Sequence, residues 1–82
     1  MRHARAAALD RLEPLLVHLR AIESLRERSR GTFYRGSKAF LHFHEDGDDL
    51  FADVRLSDDF ERMRVTSAKE QTEVLRRVRA AL

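Results

Sequence analysis

The chain has 82 residues, 37% of them charged, with 16 basic residues against 14 acidic ones and a formal charge of +2. That length supports one domain, 1–82, with a thin core, because so short a chain buries only about 60% of the surface that its unfolded form exposes. The absence of cysteine excludes disulfides and thiolate chemistry and fits a reducing compartment.

The N-terminal third carries Leu12, Leu15, Leu16, Leu19, Ile22 and Leu25 at three- and four-residue spacing, with charged residues between them. That period predicts an amphipathic helix. Asp10 and Glu13 have the spacing of a capping box, which places Pro14 in the first turn, where it costs little. Residues 2–9, rich in Ala and Arg, are compatible with a helix extension, a separate short helix or a frayed end. Gly31 is the expected helix stop. Nothing here reads as a signal peptide or a membrane span, so the expectation is a soluble cytoplasmic protein with no membrane partner.

From Thr32 the period becomes two. Thr32–Arg35 reads as a strand, Gly36-Ser37 as a type II′ turn, and Lys38–His44 as a second strand. Asp46-Gly47 suits a type I′ turn, Leu50–Leu56 a third strand, and Phe60–Val65 a short fourth. Ser67-Ala68-Lys69-Glu70 is a capping box opening a last helix, with Val74, Leu75 and Val78 on its buried stripe. The expected fold is α+β: a two-layer sandwich with an N-terminal helix, a three- to four-stranded antiparallel meander and a C-terminal helix.

A turn centred on Asp46-Gly47 sets a register. It pairs His44 with Asp49, His42 with Phe51 and Phe40 with Asp53; the first hairpin pairs Phe33 with Phe40 and Tyr34 with Ala39. One face then collects Tyr34, Ala39, Leu41, Phe43, Leu50, Ala52, Val54 and Leu56, for the helices to cover. The other collects Phe33, Phe40, His42, His44, Asp49, Phe51, Asp53 and Arg55. Its three phenylalanines make an apolar patch of the kind that marks an interface. Phe33, Phe40, His42, Phe51 and Arg55 are therefore the candidate interface of a homodimer.

His42, His44 and Asp53 on the same face have the donor types of a Zn²⁺ or Fe²⁺ site. The simpler reading is two histidines packed on phenylalanine and bonded to aspartate. The acidic turn Glu45–Asp49 resembles a Ca²⁺ loop but lacks the spacing of one, and a solvated hairpin tip explains it. No nucleophile elbow and no phosphate-cradling glycine loop is present, and no catalytic residue or cofactor is assigned. Sheet aromatics with Lys38 and Arg55 allow a base-stacking surface. The charge is distributed as +3 over residues 1–30, −2 over 31–56 and +1 over 57–82, which disfavours nucleic acid at the hairpin. Fourteen of the basic residues are arginine. The expected function is a non-enzymatic self-associating or protein-interaction module. The alternatives are a nucleic-acid-binding protein or RelE-like RNase, and then a His/Asp metal-binding protein.

The run Phe33–Leu56, with KAFLHFHED before LFADVR, resembles the core hairpin of small bacterial α+β proteins. More remotely it is similar to YjbR-like proteins, in which an aromatic strand, a turn and a G-K-x-F element recur; here Gly36-Ser37-Lys38-Ala39-Phe40 approximates that element. The resemblance implies a small bacterial α+β protein without assigned activity, and no site residue is carried over. RelE-type toxins resemble the chain in layout only. Phe51 and Asp53 stand where such RNases carry basic strand residues.

Overall fold

The computed structural model describes residues 1–82. A two-residue strand β1 (Arg2–His3) precedes helix α1 (Ala6–Arg20). Five strands follow: β2 (Arg26–Ser29), β3 (Thr32–Arg35), β4 (Lys38–Asp46), β5 (Asp49–Arg55) and β6 (Phe60–Arg64). Helix α2 (Ala68–Ala81) closes the chain. The strands form one antiparallel sheet in the order β2-β3-β4-β5-β6, and β1 pairs with the far half of β4. Both helices lay their apolar stripes on one face of it. Leu12, Leu16 and Leu19 of α1 and Val74 and Val78 of α2 share a single core with Phe33, Leu41, Phe43, Leu50, Ala52 and Val54. The expected α+β sandwich is present, with two more strands than the period-two signal marks. No helix is long and apolar enough to cross a membrane.

The helices differ from expectation at α1 only. Its first turn is Ala6-Ala7-Ala8, capped by Arg5 without a side-chain bond, so Asp10 is not a cap and Pro14 lies inside the helix. Strong alanine propensity and burial of Ala8 extend the N-terminus past the polar signal. Asp10 instead pairs with Arg30. At α2 the capping box forms as read: the Glu70 N–H donates to Ser67 Oγ and the Ser67 N–H to Glu70 Oε1.

Helix α1 also stops at Arg20, eleven residues before Gly31. Ile22 and Leu25 keep helical spacing but reach the core from a tight turn, in which Ile22 N donates to the Leu19 carbonyl and Leu25 N to that of Ile22. The Arg26–Ser29 segment then becomes β2, pairing along the outer edge of β3. Gly31 is a hairpin residue at φ +80°, not a helix stop. The Glu27 carboxylate fixes this corner by accepting from Gly31 N at 2.9 Å and from Arg20 Nε at 2.6 Å.

Two predictions arise at this corner. A Cβ on Gly31 would sit 2.6 Å from Leu9 Cδ2 and would occupy the left-handed region. Gly31→Ala is expected to cost about 1–2 kcal/mol by urea denaturation. Burial raises the Glu27 pKa, but the bonds from Arg20 and Gly31 outweigh it and hold the carboxyl below its ordinary 4.5. A depressed acid pKa stabilises the fold above the unfolded value and loses that contribution as pH falls through the folded one. Glu27→Gln is therefore expected to lower stability at pH 7 and to approach the parent protein as pH drops below 4. An equal deficit at both pH values would contradict this.

The sheet register corrects the expected faces at two points. Gly47, at φ +60°, occupies the first central position of the β4–β5 turn, and Asp46 pairs with Asp49. An Asp46-Gly47 turn of type I′ would need positive φ at Asp46, and no non-glycine residue adopts it. The shift is two residues, so the faces of β4 and β5 survive while the partners change: His42 faces Asp53 and His44 faces Phe51. Between β3 and β4 the register slips at a bulge. Tyr34 faces Ala39 but Phe33 faces Leu41, leaving Phe40 as the extra residue. Phe40 and Leu41 consequently both enter the core, and so does Phe33; their exposures are 3%, 0% and 0%. Tyr34, adjacent to inward-facing Phe33, turns to the open face. Two of the three phenylalanines of the expected interface, Phe33 and Phe40, are thus core residues, and Phe51 alone remains on the open face.

Candidate functional site

The sheet face away from the helices has two chemically different halves. Near the β4–β5 turn, period two in β4 puts His42 and His44 on the same side, and the observed register brings β5 Asp53 directly opposite His42. His42 Nε2 lies 3.3 Å and His44 Nε2 3.1 Å from Asp53 Oδ2. The potential ligand atoms of His42, His44 and Asp53 all lie within 4.8 Å of one another. The three residues named from the sequence therefore do meet.

Two further residues join them. Strand β1 pairs His3 with His44, and their rings stack at 4.7 Å between centroids. The His42 ring is 5.0 Å from that of His44 and 6.1 Å from that of His3. On the other side, Arg62 of β6 faces Asp53 and holds it with two bonds, Nε to Oδ1 at 2.8 Å and Nη2 to Oδ2 at 2.9 Å. Arg62 keeps the buried Asp53 carboxyl below its ordinary value. Burial lowers the His42 pKa, against the opposing attraction of Asp53. His42 therefore presents a neutral imidazole at pH 7. Asp49, expected beside His44, lies at the strand end and pairs with Arg64.

The half towards the β3–β4 turn is basic and aromatic. Arg26 of β2 faces Tyr34, which faces Ala39. Arg55 Nε donates to the Ala39 carbonyl at 3.0 Å, and Arg55 faces Phe60. These residues form a row across five strands, roughly 20 Å long at about 4.8 Å per strand. Two rings in the row carry guanidinium groups: Arg28 stands 4.2 Å over Tyr34 and Arg55 4.4 Å over Phe60. Arg35 and Lys38 pair at the β3–β4 turn one residue beyond Tyr34 and Ala39, so alternation turns them towards the helix side and they form a basic rim beside the row. At the end of the sheet, Arg35, Lys38 and Arg55 line a hollow of about 260 Å³ together with Phe40, Leu56 and Ala81 of α2, and at the β2 edge Arg26 and Arg28 border an open groove of about 930 Å³ that also contains Glu23 and Glu27.

The two halves differ in how the cations around them are paired. Arg62 and Arg64 on β6 are engaged by Asp53, Asp49 and Glu70, and the helix arginines Arg20, Arg76 and Arg77 are bound to glutamates. Arg26, Arg28, Arg35, Lys38 and Arg55 make no ion pair with a carboxylate; Arg2, Arg11, Lys69 and Arg79 make none either but are scattered over β1 and the helices. Sequence reasoning missed Arg26 and Arg28 because helical spacing in Leu19–Leu25 ran on over β2. It missed His3 because a two-residue strand carries no periodic signal. Phe60, 38% exposed, gives no sequence signal beyond membership of a short strand. No family model, curated protein or solved structure matches this chain.

Proposed function

We propose that this chain is a nucleic-acid-binding protein that takes a single strand across the basic, aromatic half of its open sheet face. The observation that carries this reading is three cations on that face, Arg26, Arg28 and Arg55, without carboxylate partners beside two guanidinium-capped rings, with Arg35 and Lys38 at the adjoining rim. Cations in that setting neutralise phosphates, while ring faces and guanidinium planes stack bases without needing a sequence. A row of roughly 20 Å suits on the order of four nucleotides. The carboxylates that made the hairpin look acidic are spent elsewhere: Glu45 pairs with Arg5, and Asp49 and Asp53 with β6 arginines.

Fluorescence anisotropy with a labelled 12-nucleotide oligouridylate and its thymidylate counterpart tests the reading. Saturable binding of either at low salt supports it; no binding of either removes it. Association of two copies is the second reading. Its support is now the half-buried Phe51 and the exposed Phe60, which remain on the face after Phe33 and Phe40 leave it. Light scattering decides it: a dimer that Phe60→Asp dissociates supports association, and a monomer at all concentrations rules it out.

A further inference from the structure

We propose that His3, His42, His44 and Asp53 form a binding site for a divalent transition metal of the zinc class at the other end of the same sheet face. The site adjoins the basic row, with the Phe60 ring 5.2 Å from that of His42, but it uses none of the row's residues and does not depend on the nucleic-acid reading.

Three observations carry the proposal. The first is distance. A tetrahedral ion with bonds of about 2.1 Å keeps its ligand atoms roughly 3.4 Å apart. The two Nε2–Oδ2 separations, 3.3 and 3.1 Å, already have that length. The second is construction. His42 and His44 share one strand face, His3 is held opposite His44 by strand pairing, and Asp53 is held opposite His42. Three donors thus come from two adjacent strands of the sheet, which fixes them better than a loop would, and a fourth stands beside them on β1. The third is redundancy. Asp53 is already neutralised by Arg62 through two bonds. Two imidazoles against a carboxylate already satisfied by Arg62 add little as ion pairs, and a third ring stacked on His44 adds none. As nitrogen donors the three suit a borderline-soft cation.

Loading needs two local changes. Asp53 Oδ2 passes from Arg62 Nη2 to the metal, while Oδ1 keeps its 2.8 Å bond from Arg62 Nε. Arg62 then acts as the outer partner that orients the ligating carboxylate. His3, exposed on β1, rotates its ring from the stack to supply the fourth donor. Nothing in this exchange moves the core, because every group involved lies on the open face.

Isothermal titration of the purified, chelator-treated protein with Zn²⁺ is the test, repeated on His44→Ala and on His18→Ala as a control on α1, outside the cluster. One Zn²⁺ per chain, with affinity weakened about 100-fold by His44→Ala and unchanged by His18→Ala, supports the site. Co²⁺ should give the visible absorption of a tetrahedral ion, and His44→Ala should abolish it. Circular dichroism of His44→Ala is expected to match the parent protein, so a lost signal reports on ligation and not on folding. Less than one ion per chain, or equal binding by His44→Ala, would overturn the proposal.

Discussion

Replacing Phe33 with alanine is expected to destabilise the protein by about 3–5 kcal/mol, the range for removing a fully enclosed phenylalanine. Phe33 has no exposed surface and lies in the common core of the sheet and both helices. Stability for a domain of this size is itself about 5–15 kcal/mol, so the variant should be close to unfolding. The bulge at Phe40 is what makes this prediction sharp. Under unbroken alternation Phe33 would stand on the open face beside His42, and its truncation would cost less than about 1 kcal/mol. Phe51→Ala serves as the contrast, since Phe51 is half-buried on the open face, and its loss should cost clearly less. Urea denaturation of the two variants distinguishes the registers: Phe33→Ala below Phe51→Ala supports the bulge, and the reverse order contradicts it.

The second large effect is on binding. If a single strand places about four phosphates against the unpaired cations, the logarithm of its affinity should fall with the logarithm of salt at a slope of about −2.8. That is a loss of roughly 50-fold between 50 and 200 mM. Replacing Arg26, Arg28 and Arg55 together with glutamine should weaken binding at 50 mM and flatten the slope by about two units, since each lost phosphate contact removes about 0.7. Arg76→Gln provides the control. Arg76 bonds Glu73 on the exposed side of α2, and its removal should leave affinity unchanged. Anisotropy titrations at four salt concentrations measure both quantities. A slope near zero, or a triple variant that binds as well as the parent protein, would remove the electrostatic basis of the reading.

The legible part of the molecule is the part governed by short-range rules. The Ser67 capping box, the Gly36 turn and the alternation within β4 each need only a few neighbouring residues, and each appears as read. What was not legible depends on competition between neighbours. Gly47 could serve either central position of a turn, and backbone strain at Asp46 decided between them. Leu25 fits a helical stripe, yet it is buried from the turn that leads into β2, a strand that only the open edge of β3 calls for. The bulge at Phe40 leaves no trace in an alternating pattern, although three apolar side chains crowded into Ala39–Leu41 are compatible with one. These long-range outcomes moved the candidate chemistry. They took Phe33 and Phe40 into the core, brought Arg26 and Arg28 onto the face, and set His42 against Asp53 with His3 alongside His44.

The role of the open face is tested most directly by residue-resolved NMR of the amide-labelled protein titrated with oligouridylate. Shift changes are expected along the row Arg26, Arg28, Tyr34, Ala39, Arg55 and Phe60 and at Arg35 and Lys38, with α1 and α2 unmoved. Changes centred on the helices, or none at saturating oligonucleotide, would contradict the account.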